Sequence, residues 1–258
     1  MAIMLYHHLC FLFFLIPLCS STDPLGYYCE TPFNGSPTQS TRITVVLTDL
    51  VSKASVGGFA ISSAGQGGDE IYGLAQCRGD VGADVCSTCL TDAAKKIPSV
   101  CPRQADARIW YDYCFMRYDN ANFIGQSDTG YAVIYINVDN ATNPETFEKE
   151  VGKLMTAVRA AAVAPGSGGL GRGQKDFTPY VTIYGLAQCT RDLPPLTCAQ
   201  CLSSAEEKFA DYCRFRQGCQ VHYSSCMLRY EIYPFYFPLY KVKDNVQVGQ
   251  YSKLILYP

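Results

Sequence analysis

Ile71–Cys89 reads IYGLAQCRGDVGADVCSTC, and Ile183–Cys201 reads IYGLAQCTRDLPPLTCAQC. The first seven residues of the two stretches are identical, and all three cysteines recur 112 positions later. The frame Cys77-x8-Cys86-x2-Cys89 thus returns as Cys189-x8-Cys198-x2-Cys201. Its register continues, with Cys101 and Cys114 matched by Cys213 and Cys226, and CFMRY from Cys114 matched by CMLRY from Cys226. Five cysteines in one spacing, used twice, make the chain a tandem repeat of a single cysteine-framed domain.

Working outward, the repeat divides 258 residues into two units of similar size. Each is long enough for a modest core of its own. Net charge is −2 and no basic stripe stands out, which argues against nucleic acid as a partner. Residues 1–22 read as a signal peptide. Leu9–Leu18 is almost wholly apolar and is followed by Ser20, Ser21 and Thr22, although no Lys or Arg precedes it. Such a segment is too short to span a bilayer, and no later stretch is apolar for eighteen residues. The expected division is signal peptide 1–22, first domain 23–125, packed connection 126–139, second domain 140–245 and C-terminal tail 246–258. The mature chain is expected outside the cell, with no membrane span.

Removing the leader takes Cys10 and Cys19 with it and leaves twelve cysteines, six in each unit. An even count per unit in a secreted chain reads as three disulfides each, and spacing alone leaves the pairings open. Two other uses compete with disulfides. Redox chemistry at Cys86-x2-Cys89 or Cys198-x2-Cys201 needs a lowered thiol pKa, typically in a cytosolic βαβ setting. Zinc would need all-thiolate ligands, since His222 is the one histidine beyond the leader, and would need them reduced in an oxidising compartment. No metal or other cofactor is expected.

Hydrophobic periodicity gives a helix over Thr38–Ser55, with Gly57 and Gly58 as its stop, a strand over Glu70–Arg78, and a second helix over Asp84–Val100 with Asp84 as N-cap. A strand pair follows over Arg108–Tyr118. The second unit repeats this with a helix near Pro144–Ala162, a strand at Tyr180–Cys189, a helix at Thr197–Tyr212 and strands around Val221–Tyr233. PGSGGLGRG, Pro165–Gly173, reads as a flexible loop inside the second unit. YAVIYINV, Tyr131–Val138, reads as strand-like at the boundary between units. Asn34 and Asn140 head glycosylation sequons.

Catalysis finds little support. His222 is flanked by Tyr223, Ser224 and Ser225, with no nucleophile-elbow motif. The glycines of Gly166–Gly173 lack the G-K-[ST] ending of a phosphate loop. The aromatic run YEIYPFYFPLY, Tyr230–Tyr240, either packs the sheet and the boundary between units or forms an exposed protein-binding surface. Pro234 and Pro238 suggest an edge strand there.

The full spacing, Cys-x8-Cys-x2-Cys then x11-Cys then x12-Cys, resembles the ginkbilobin-type cysteine-rich domain of land plants. Two copies behind a signal peptide resemble a plant cysteine-rich repeat secretory protein. The resemblance covers nearly all of the mature chain. It implies an α+β fold, each domain carrying two helices packed on a five-stranded antiparallel sheet. It also implies the pairs Cys29–Cys101, Cys77–Cys86, Cys89–Cys114, Cys189–Cys198 and Cys201–Cys226. The second unit has no counterpart of Cys29 but carries an extra Cys219, and this leaves Cys213–Cys219 as the sixth pair.

Founding members of that family bind mannose and inhibit fungi. Their site, as the resemblance implies it, uses an Asn after the first cysteine, an Arg six before the last and a Glu five after the last. Those positions hold Glu30, Arg108 and Asp119 in the first unit. The second unit has Gln220 and Glu231 at the last two and nothing clear at the first. Neither unit carries the full set, and Glu30 replaces an amide that both donates and accepts by a group that only accepts. The bland alternative makes Arg108 a surface ion pair with Asp119 or Glu30, and leaves Asp119 and Glu231 solvated just past their strands. Two functions follow as expectations. One is a non-catalytic apoplastic recognition protein of defence or stress response that binds a mannose-type glycan. The other is an apoplastic protein-interaction module, binding a receptor ectodomain or a secreted enzyme, whose sugar site has decayed.

Overall fold

The computed structural model describes residues 23–33, 37–238 and 249–257. The expected leader 1–22 and the sequon at Asn34 lie outside them. Elements run β1 (Gly26–Cys29), α1 (Pro37–Gly57), β2 (Phe59–Ala64), β3 (Ile71–Cys77), α2 (Ala83–Val100), β4 (Ala107–Trp110), β5 (Cys114–Asp119), β6 (Ala132–Asn137), α3 (Pro144–Ala162), β7 (Leu170–Thr178), β8 (Val181–Cys189), α4 (Pro195–Tyr212), β9 (Cys219–His222), β10 (Cys226–Glu231) and β11 (Tyr251–Leu256). They form two antiparallel sheets, of order β1-β4-β5-β3-β2 and β11-β6-β9-β10-β8-β7. The architecture is α+β, two helices on each sheet.

Alternation along each strand separates two faces. In β5, Cys114, Met116 and Tyr118 point into the core beneath α1 and α2. Phe115, Arg117 and Asp119 therefore take the opposite face. Val46, Leu47 and Leu50 of α1 and Leu90, Ala93 and Ile97 of α2 complete that core. Leu154, Met155 and Val158 of α3 and Leu202 and Ala205 of α4 do the same over β8, β9 and β10. Each large aliphatic side chain so buried contributes about 1.5–3 kcal/mol.

Six disulfides staple the helices to the sheets: Cys29–Cys101, Cys77–Cys86 and Cys89–Cys114 in one unit, and Cys189–Cys198, Cys201–Cys226 and Cys213–Cys219 in the other. The twelve cysteines among the described residues are all paired, and the two members of each Cys-x2-Cys pair bond to different partners rather than to each other.

Several expectations shift. The stretch 126–139, read as a connection, contains β6, which pairs with β9 as β1 pairs with β4. The stretch 246–258, read as a tail, contains β11, which pairs with β6 and gives the second sheet its sixth strand. Pro165–Gly173 is loop only to Gly169, because β7 begins at Leu170. Glycine there serves packing: a side chain at Gly171 would run into the Val158 carbonyl of α3. Asp84 lies in the first turn of α2, behind the N-cap Gly82, where a carboxylate favours the helix dipole. No strand follows Glu231 through Pro238. Tyr233, Phe235 and Tyr236 instead fold back over Leu186 and cover the helix-averted face of the second sheet. Asn140 is exposed.

Candidate functional site

The helix-averted faces of the two sheets meet. Trp110, Tyr131 and Val133 form the apolar centre between them, with Tyr28 and Phe115 packed alongside. Tyr131 stacks on Tyr28 at 4.3 Å and on Trp110 at 5.3 Å between ring centroids. Trp110 Nε1 donates to the Tyr223 carbonyl at 2.9 Å. The residues expected to bind sugar sit on these same faces.

In the first unit, β4 and β5 place Arg108 opposite Arg117. Arg108 is only 2% exposed. Its Nη2 donates to Asp106 Oδ2 at 2.5 Å, and its Nη1 donates to Asp128 and, at 3.0 Å, to the Ser224 hydroxyl of the other unit. Tyr28 lies beneath the guanidinium at 5.2 Å. Glu30, just past β1 and 51% exposed at its side chain, lies 3.6 Å from Arg108 Nη2. Asp119 is bound elsewhere: Arg117 Nη2 donates to it at 2.6 Å and Arg117 Nη1 donates to Asp128 at 2.8 Å. The structure thus brings Glu30 to Arg108 and hands Asp119 to Arg117. Burial pushes the Asp106 carboxyl up to about 6, against the pull of Arg108 and Arg117.

The second unit rebuilds this cluster with different side chains. Arg229 stands opposite Gln220. Its Nε donates to Glu231 at 3.0 Å, while Gln220 Nε2 donates to the same carboxylate at 3.4 Å. Tyr251 on β11 donates to Glu231 Oε2 at 2.5 Å. Glu231 is 0% exposed, and burial raises its pKa against the pull of Arg229. Gly218 stands where Asp106 stands in the first unit, and a side chain there would collide with the Glu231 carboxylate. The longer Glu231 therefore takes space that Asp106 takes in the other copy. In both units a phenyl ring covers the buried guanidinium, Phe123 over Arg117 at 4.1 Å and Phe235 over Arg229 at 4.2 Å.

Arg108, Asp119 and Glu231 are therefore neither surface pairs nor solvated carboxylates. Each is buried because the other unit and the aromatic segments close over its sheet. Four contributors escaped the sequence reading: Asp106, Arg117, Asp128 and Ser224. The Arg shared by CFMRY and CMLRY was one available signal. His222 is buried and held down to about 4 by desolvation. It bonds Gln220 Oε1 at 3.2 Å, while the neighbouring Ser224 hydroxyl accepts from Arg108, so no His–Ser couple forms.

Two tandem α+β units, each with three disulfides and a helix-averted face turned toward the other, define a class of cysteine-rich double-domain proteins. The "Salt stress response/antifungal" family model matches residues 19–121 and 136–233, and the chain belongs to that family. It is 47% identical over 256 residues to cysteine-rich repeat secretory protein 55 of Arabidopsis thaliana, covering 96% of this chain and 97% of that one. It is 37% identical over 215 residues to an antimicrobial ginkbilobin-2-like protein of Castanea crenata, covering 83% and 89%. The tandem DUF26 ectodomain of the Arabidopsis thaliana cysteine-rich receptor-like protein PDLP8 superposes with a TM-score of 0.73 at 22% identity, over 81% of this chain and 97% of that one. Among the described residues, no helix is long and apolar enough to cross a membrane.

Proposed function

We propose that this chain is a non-catalytic recognition protein of the plant apoplast, acting in defence or stress response by binding a protein partner rather than a mannose-type glycan. One observation carries the choice. Both terminal nitrogens of Arg108 are engaged by Asp106, Asp128 and Ser224 inside the contact between units. A sugar hydroxyl would have to displace charge-assisted bonds that also hold the two units together. In the second unit Glu231 is enclosed by Arg229, Gln220 and Tyr251. Six disulfides fit an oxidising, extracellular setting, as does the secretory relative. The glycan reading keeps one support, the exposed carboxylate of Glu30 beside Arg108 at the rim of the cluster.

Calorimetric titration of the mature protein with mannose and a short mannan tests this. The expected result is no saturable heat. Heat that saturates and is lost in Glu30→Gln, an exposed change that spares the interface, would overturn it.

A further inference from the structure

A groove of about 290 Å³ runs between α2 and the β4–β5 corner of the first unit. Asp84, Thr88 and Asp92 follow at four-residue spacing and so share one face of α2. Tyr111, Asp112 and Tyr113 form the opposite wall. The Cys89–Cys114 disulfide ties the two walls together at the base. The corner is fixed by Tyr111 N–H donating to the Cys114 carbonyl at 2.8 Å and Arg78 N–H donating to the Tyr113 carbonyl at 2.8 Å.

The hydrogen-bonding capacity of this groove is one-sided. Thr88 spends its hydroxyl proton on the Asp84 carbonyl at 2.9 Å and presents lone pairs outward. Asp112 bonds Arg229 at 3.3 Å, yet its side chain stays 50% exposed. Among the described residues no Lys or Arg lines the groove. Tyr111 is 8% exposed, and its hydroxyl makes no hydrogen bond among the described residues. Burial, then the nearby Asp92 and Asp23, push that hydroxyl above its ordinary range. The Tyr111 ring is buried while its hydroxyl, held protonated, offers the groove one donor as well as lone pairs, with no partner among the described residues to take either.

The internal repeat supplies a control. The positions matching Asp84, Thr88 and Asp92 are Leu196, Gln200 and Ser204, and Ser224 matches Asp112. The same fold is therefore built without these carboxylates, so the scaffold does not require them.

Resting on the protein-recognition reading above, we infer that this groove binds a Lys- or Arg-bearing segment of the partner polypeptide. Ammonium and guanidinium groups carry donors only and complement a groove dominated by the carboxylates Asp84, Asp92 and Asp112. A sugar brings acceptors of its own that would go unmatched. Among the described residues no three carboxylates converge as a cation site, so the charges suit a chain presenting more than one cation.

Fluorescence anisotropy with a fluorescein-labelled hexa-arginine peptide, titrated with the mature full chain, tests this. Binding saturates at about 20 mM salt and weakens about tenfold or more near 150 mM. Asp92→Asn weakens it by roughly threefold without altering the melting curve, and adding Asp84→Asn, which also gives up a favourable charge in the first turn of α2, brings the loss to roughly tenfold. Tyr111→Phe, which deletes a hydroxyl that bonds nothing among the described residues, leaves the melt unchanged and weakens the peptide by roughly threefold. Absence of saturable binding at low salt, or equal binding by the double Asn variant, would overturn the inference. So would displacement by spermidine as effective as by unlabelled peptide. Peptide failure with no mannan heat removes only the groove, whereas saturable mannan heat removes the underlying reading.

Discussion

Gln76 and Gln188 stand at the same place in the two repeats, and each uses both ends of its amide to hold the other unit. Gln76 Nε2 donates to the Cys189 carbonyl at 2.8 Å, and Gln188 Nε2 donates to the Cys77 carbonyl at 3.0 Å. In return, Arg191 N–H donates to Gln76 Oε1 at 2.9 Å and Gly79 N–H donates to Gln188 Oε1 at 2.8 Å. Asp80 and Asp192 repeat the exchange by accepting from Phe237 N–H and Gly125 N–H, each at 2.7 Å. The units are therefore related by an approximate two-fold written in hydrogen bonds.

Replacing Gln188 by Leu leaves the Gly79 N–H and the Cys77 carbonyl without their partner. Each such group costs about 1–3 kcal/mol. Chemical denaturation should show the whole chain losing stability in one transition. Loss confined to an early transition of the second unit would show that the contact does not couple the units.

Arg108→Ala should cost about 3–5 kcal/mol, because Asp106 and Asp128 lose the charge that compensates their burial. Equilibrium unfolding in urea measures this without any ligand. A cost below about 1 kcal/mol would return Arg108 to the class of surface ion pairs. The same reasoning makes this variant a poor reporter of sugar binding, since heat could vanish through unfolding alone.

Cys29–Cys101 closes a separation of 72 residues and Cys213–Cys219 one of 6. By chain entropy the long loop stabilises by roughly 4 kcal/mol and the short one by roughly 2 kcal/mol. Paired Ser substitutions, compared by thermal melts, should rank accordingly. The reverse order would place the stabilisation in the native state instead of the unfolded chain.

Burial holds His222 down to about 4 in the folded protein, against about 6.5 when unfolded. The unfolded chain then binds more protons between those values, so this group removes stability as pH falls from about 6.5 toward 4. Asp106 acts with the opposite sign. Its folded value, raised to about 6 by burial, returns stability as pH falls from 6 toward 4. His222→Gln should remove the first effect alone, so the variant gains stability relative to the native sequence between pH 6.5 and 4.5. Parallel melting curves for the two proteins across that range would contradict it.

The repeat frame, four helices and the inner strands were legible because cysteine spacing and apolar periodicity each encode them locally. Edge strands were harder. β1, β2 and β11 are short or partly exposed, and their pairing depends on distant residues such as Trp110 and Asn137. The polar face was misjudged for a single reason. Alternation says that Arg108, Asp119 and Glu231 point away from their own core, and it cannot say whether water or another polar sheet lies beyond. Gln76 and Gln188, identical polar residues inside a duplicated strand, were the clue that something other than water does.

Gln76, Arg108 and Trp110 are synthesised about a hundred residues before Cys189, Tyr223 and Ser224, the groups that complete them. At about 5–20 residues per second, the first sheet waits roughly 5–20 s with a charged and aromatic face uncovered. During that interval a neighbouring nascent chain offers the same complementary surface as the chain's own second half. The approximate two-fold that seals the finished molecule therefore also makes exchange of halves between copies the natural error of its synthesis, and ties correct assembly to the pace of translation.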